Sequence, residues 1–192
     1  MDRRKFIKAM GASAAALVAP LPTQAARNKP SLRYLRPPGA HKEAEFLSKC
    51  IRCGQCGETC PNRCIKFFGF ENGIASIGTP YITPREKACI LCMKCGDVCP
   101  TGAIPKIERE ANEILEKVDM GLAVVDEELC LSFQGKTCGV CYRACPLQDV
   151  AIKVGMLEQP HVKESCIGCG LCERSCIQMP QAIRIQPARQ EA

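Results

Sequence analysis

Four groups of cysteines carry the chemistry in this chain. The first is Cys50, Cys53, Cys56 and Cys60, followed by Pro61. The second is Cys89, Cys92, Cys95 and Cys99, followed by Pro100. The third is Cys130, Cys138, Cys141 and Cys145, followed by Pro146, and the fourth is Cys166, Cys169, Cys172 and Cys176, followed by Ile177. Three cysteines at two-residue gaps wrap a loop around a small inorganic core and set thiolates at three of its corners. A fourth, three residues later, points elsewhere, and a proline after it turns the chain away. The groups begin 39, 41 and 36 residues apart, so one device is used four times.

This is the run in which the fourth cysteine ligates the other of two cubane clusters. Sixteen thiolates suffice for four [4Fe–4S] clusters. All sixteen are therefore predicted cofactor-binding and metal-ligating residues, and no catalytic residue is predicted. Zinc sites use paired C-x2-C knuckles and need neither the third cysteine nor the proline. Disulfides suit an exported chain, but 17 cysteines is an odd number, and disulfide frameworks do not repeat this spacing. The leftover Cys64 reads as a small buried hydrophobe, with a substitute-ligand or redox role as the sharper option. His41 and His161 read as surface residues.

The composition agrees with a cofactor-held fold. Cysteine is about 9% of 192 residues, and only 6 Phe and 3 Tyr are available to fill a core. Chains with weak cores rely on metals or disulfides. The formal charge of +6 falls to +3 without residues 1–25, which leaves no basic patch of the kind nucleic acid requires. Four oxidised clusters, each about −2 with its thiolates, take the total to about −5. No apolar run is long enough for an ordinary spanning helix.

The elements that must position these groups follow from the flanking sequence. Residues 1–25 have the charged, apolar and small-residue order of an export signal, and Arg3-Arg4 followed by Phe6 resembles the twin-arginine type. Cleavage is expected after Ala25; an uncleaved anchor is the other form of that reading. Residues 26–45 form an extended lead-in broken by Pro37-Pro38, with a helix beginning near His41. Four ferredoxin-type repeats are expected at 46–79, 80–111, 121–155 and 157–186, with a loose tail at 187–192. Strands are expected at IKFFGF, AIPKI, VAIKV and AIRI after the four groups, and at GIASIG (73–78), GLAVVD (121–126) and HVK (161–163) before groups two to four. Small helices are expected after each fourth cysteine. Apolar residues Ile107, Ala111, Ile114, Leu115 and Val118 predict an amphipathic helix over 107–118. The fold class is α+β: two ferredoxin-like modules of short β hairpins and small helices around clusters. Groups one with two and three with four, or one with four and two with three, are both compatible pairings.

LRPPGA at 35–40, CIRCGQC at 50–56, GTPYIT at 78–83 and MGLAVVDEELCLSFQGKTCGVCYRACP at 120–146 resemble the NapG/MauM ferredoxin-type proteins. These accompany periplasmic nitrate reductase or methylamine-utilisation systems. The resemblance spans about residues 3–185. It implies four [4Fe–4S] clusters on the sixteen cysteines. It also implies electron passage from a membrane quinol-oxidising iron–sulfur protein (NapH-like) to a periplasmic redox acceptor. The second group is more compact here than in that family, and Cys64 has no counterpart role there. The chain shows no phosphate-binding loop and no nucleophile–base pair, so an electron carrier is expected rather than an enzyme. The alternative is an iron–sulfur subunit of a molybdenum-type oxidoreductase, which would co-purify with its large subunit. A cluster-bearing assembly or sensor protein is a third reading.

Overall fold

The computed structural model describes residues 34–188. The expected signal, most of the lead-in and residues 189–192 lie outside the described residues. The fold mixes short helices and short strands. The helices are α1 (Glu43–Lys49), α2 (Gln55–Glu58), α3 (Lys94–Asp97), α4 (Ala111–Lys117), α5 (Val140–Arg143) and α6 (Leu171–Ser175). The strands are β1 (Ile65–Phe67), β2 (Pro80–Ile82), β3 (Gly121–Val125), β4 (Ile152–Val154), β5 (Pro160–Val162) and β6 (Ile183–Pro187). Each helix is too short to be stable alone in water. Packing and the chain on either side must hold it.

The strands form three antiparallel pairs, and their order decides which cysteine groups share a unit. β1 pairs with β2, with Ile65 opposite Ile82. β4 pairs with β5, with Ile152 opposite Val162. β3 pairs with β6, with Gly121 opposite Pro187 and Val125 opposite Ile183. Groups three and four are therefore enclosed together: β3 precedes one, β6 follows the other, and the β4–β5 hairpin lies between. Groups one and two flank the β1–β2 hairpin in the same way.

Among the described residues, no second ladder lies outside that first hairpin. Leu35 makes a single antiparallel bridge to Ile82. Arg36 donates from Nη1 to Thr79 Oγ1 at 3.0 Å and to the Pro80 carbonyl at 2.7 Å, and its guanidinium is ion-paired with Glu43. The guanidinium also lies over the Phe46 and Phe68 rings, at 4.7 and 5.3 Å. Phe46 is 0% exposed. Tyr34, Phe68 and Tyr81 pack together with ring centroids 4.3–4.8 Å apart. LRPPGA and GTPYIT thus meet as one lock.

Several expectations are corrected. The helix predicted over 107–118 is confined to Ala111–Lys117. Ile107 is buried instead outside the helix; its Cδ1 lies 2.5 Å from where a Cβ on Gly39 would stand, so a side chain there would displace it and would be strained at φ +76°. GIASIG (73–78) is a series of turns, with Gly73 and Gly78 in left-handed conformations, and the strand begins at Pro80. AIPKI forms no strand; residues 37–41 lie where a partner would run, and His41 N donates to the Ala103 carbonyl at 3.4 Å. The described end of the lead-in packs against the rest of the fold, with Leu35 and Pro37 buried. Pro187 belongs to β6 rather than to a tail. Single 3-10 turns follow the fourth cysteines of groups one and three, at Phe70–Asn72 and Met156–Glu158, but the one-turn α-helices lie elsewhere. α2, α3, α5 and α6 lie inside the groups and carry Cys56, Cys95, Cys141 and Cys172.

Candidate metal centres

A left-handed residue precedes each of these four helices: Gly54 at φ 78°, Met93 at 58°, Gly139 at 56° and Gly170 at 85°. In three groups the residue before the second cysteine is left-handed too: Arg52, Leu91 and Gly168. Alternation of left-handed residues curls the backbone into a concave nest whose N–H groups face inward, a shape that receives anions, including iron–sulfur cores. Arg52, Leu91 and Met93 are not glycines, so this curl is strained and must be held by its contents and surroundings.

Three cavities result. The first is walled by Cys50, Cys53 and Cys56 of group one together with Cys99 of group two. The second is walled by Cys166, Cys169 and Cys172 of group four together with Cys145 of group three. The third is walled by Cys130, Cys138 and Cys141 of group three together with Cys176 of group four. Their volumes are about 20, 20 and 30 Å³. Each takes three cysteines from one run and the last cysteine of the run beside it. Cys60, Cys89, Cys92 and Cys95 line none of these three cavities, and two of them have Cys64 as a neighbour. Cys64 Sγ lies 3.6 Å from Cys60 Sγ and hydrogen-bonds Cys89. Cys64 is 3% exposed, as expected of a buried residue, but it touches two predicted ligands rather than only apolar neighbours.

The donor chemistry suits a polynuclear core. None of the 17 cysteines is in a disulfide. Among the described residues, no three His, Cys, Asp or Glu side chains converge on one metal ion. Burial pushes the Cys56, Cys141 and Cys169 thiols up to about 11 and Cys95 up to about 12. Burial also pushes Cys172 well up. Ionising such thiols needs a bound cation, which metal ions supply. The Cys64–Cys89 hydrogen bond lowers the Cys64 thiol to about 7 and raises that of Cys89. Backbone donors are also in place: Leu91 N and Ile104 N lie 3.4 Å from Cys89 Sγ and Cys99 Sγ.

Groups two and four are in direct contact. Cys89 N donates to the Cys169 carbonyl at 3.0 Å. Arg85 Nη1 donates to the carbonyls of Glu173, Arg174 and Cys176 at 3.0–3.2 Å, covering the C-terminal end of α6. The Ser132 hydroxyl, which sequence reasoning passed over, is buried in the wall of the third cavity without a partner. His161 is exposed; His41 is half-buried beside Lys49 and Glu45.

These features define an iron–sulfur protein of the ferredoxin type. A model described as 4Fe-4S dicluster domain matches residues 49–103 and 88–149, and one described as 4Fe-4S binding domain matches 163–176. The 88–149 match joins groups two and three in sequence order, whereas the strands and cavities join three to four.

The chain is 39% identical to the ferredoxin-type protein NapG of Escherichia coli (strain K12), over 96% of this chain and 85% of that one. It is 38% identical to the methylamine utilization ferredoxin-type protein MauM of Methylorubrum extorquens, over 94% and 85%. MauM of Methylobacillus flagellatus is 37% identical over 84% and 71%. The chain therefore belongs to the NapG/MauM ferredoxin-type family, and it is an iron–sulfur electron-transfer protein.

Proposed function

We propose that this chain is a periplasmic electron relay with four [4Fe–4S] clusters in two ferredoxin-like modules. The observation that carries the reading is the crossing of ligands: the last cysteine of three runs, Cys99, Cys145 and Cys176, lines the cavity of the neighbouring run. Cys50, Cys53, Cys56 and Cys99 hold the first cluster, and Cys89, Cys92, Cys95 and Cys60 the second. Cys130, Cys138, Cys141 and Cys176 hold the third, and Cys166, Cys169, Cys172 and Cys145 the fourth. Each cluster, when bound, supplies a one-electron couple.

The residues then do two things. They cover the sites in part, with Cys53 left exposed, and they set the order in which electrons can hop. Cys56 and Cys95 are electrostatic neighbours within the first module, as are Cys141 and Cys172 within the second. The Cys89–Cys169 hydrogen bond joins the modules. That supports a path of first, second, fourth and third sites, with the runs of Cys50 and Cys130 at the two ends. Electrons enter from a membrane quinol-oxidising iron–sulfur partner and leave to a periplasmic reductase. Family membership and the twin-arginine pattern at the N-terminus support this placement. No helix among the described residues is long and apolar enough to cross a membrane.

The test is iron and acid-labile sulfide on protein purified anaerobically from the periplasmic fraction, with EPR after dithionite. About 16 of each per chain, with spin-coupled cubane signals, is expected. About 12 or fewer after full reconstitution means that one run does not hold a cubane. Absence of the protein from the periplasmic fraction refutes the placement separately.

A further inference from the structure

Ser132 sits two residues into the seven-residue gap between Cys130 and Cys138. The other runs have only two residues there: Ile51-Arg52, Ile90-Leu91 and Ile167-Gly168. None of those side chains carries a hydroxyl, so the insert gives one run a group that the others lack.

The structure holds this residue firmly. Ser132 is 1% exposed. The turn around it is closed by Phe133 N donating to the Cys130 carbonyl and Gln134 N to the Leu131 carbonyl, both at 3.1 Å. Its own carbonyl accepts from Gln159 Nε2 at 3.4 Å. Its hydroxyl has no protein partner, although it lines the cavity of Cys130, Cys138, Cys141 and Cys176. A buried hydroxyl left unpaired is costly, and such groups in native proteins nearly always have a partner. The partner must be something the cavity receives.

We propose that the Ser132 hydroxyl donates a hydrogen bond to a sulfur of the cluster held by Cys130, Cys138, Cys141 and Cys176, and so raises the reduction potential of that cluster alone. This rests on the four-cluster reading above. The physical reason is charge. Reduction adds negative charge to a core that is already anionic. A donor aimed at sulfur stabilises the reduced form more than the oxidised one, and hydrogen bonds to sulfur are among the levers that set such potentials. Ser132 is thus a positioning residue for electron flow, drawing electrons toward the run-three end of the path. No bond to iron is made or broken by it.

The experiment compares wild-type protein with Ser132→Ala and Ser132→Cys in EPR-monitored redox titrations, after iron has been counted. Wild-type iron content tests the four-cluster reading by itself; the comparison among variants tests Ser132. With iron unchanged, Ser132→Ala should move one couple to lower potential and leave the other three in place. Ser132→Cys, a weaker donor of similar size, should fall between. Pulsed hyperfine spectra in deuterated buffer should show an exchangeable proton near one cluster in wild type, missing in Ser132→Ala. Four unmoved couples in fully loaded Ser132→Ala would overturn the proposal. It would equally be overturned if Ser132→Ala lost the cluster while Ser132→Cys kept it at the wild-type potential, because the side chain would then only be filling space.

Discussion

The first half of the described chain, residues 34–110, and the second, 111–188, use the same cysteine runs but close their outer side differently. The second half closes with a backbone ladder, five residues of β3 against five of β6. In the first half, a side-chain lock fills that place: Arg36 on Glu43, Thr79 and Pro80, with Phe46, Phe68, Tyr34 and Tyr81 around it. What stays constant is local: the left-handed residue, the one-turn helix and the hairpin between paired runs. The outer layer is free to vary because its task is only to cover the sites and fix the hairpin. The difference teaches that cluster geometry is written in the cysteine runs, while stability is supplied by different means in each half.

The largest effect should come from the constant part. Cys99→Ala should cost the cluster of the Cys50 run, and Cys176→Ala that of the Cys130 run, each leaving the other half loaded. Iron counts with EPR of each variant check this. Loss of the cluster of the mutated residue's own run would break the shared architecture. Next comes the lock. Phe46→Ala removes a fully buried ring and should destabilise the first half by about 3–5 kcal/mol, read by denaturant unfolding, with the β3–β6 amides still protected from hydrogen exchange.

The ladder should be less costly to damage. Gly121 lies at φ +137°, and a Cβ there would stand 2.1 Å from the Gln186 carbonyl oxygen. Gly121→Ala should cost about 1–3 kcal/mol and expose the β3–β6 amides while those near Phe46 keep their protection. Equal loss in both halves would show that they unfold as one unit. The smallest effect concerns α4, at the start of the second half. The Lys117 hydrogen bond lowers the carboxyl of partly exposed Glu113 below its ordinary value. Its contribution is present above that ordinary value, near 4.5, and is lost as pH falls through the lowered one. Glu113→Gln should leave the melting temperature at pH 7 nearly unchanged, and the small difference from wild type should vanish in acid.

Legibility in the sequence follows the same division. The sixteen thiols and their spacing declare cluster chemistry because iron–sulfur geometry demands that spacing locally. GLAVVD, VAIKV, HVK and AIRI were legible as strands, since alternating or apolar β-branched runs need only a neighbouring strand. AIPKI and GIASIG misled. Ala103, Ile104 and Ile107 are buried without a strand partner, and left-handed Gly73 and Gly78 turn the other segment. The pairing of the runs was open from spacing alone. It depends on β3 meeting β6 across some sixty residues, which no local pattern records. The one-turn helices were misplaced because four residues carry no periodicity; the glycine between the second and third cysteines of three runs was the available signal. Cys64 and Ser132 look ordinary in sequence. Only the fold brings one against Cys60 and the other to the wall of a thiol-lined cavity.

The most direct test of the central claim is iron-edge anomalous diffraction from crystals grown anaerobically. Four compact iron peaks are predicted, each bounded by three cysteines of one run and the last cysteine of its partner, with the peaks of the Cys89 and Cys166 runs in the middle of the row. Peaks bounded by all four cysteines of a single run, or runs of the first half closed by cysteines of the second, would contradict the account.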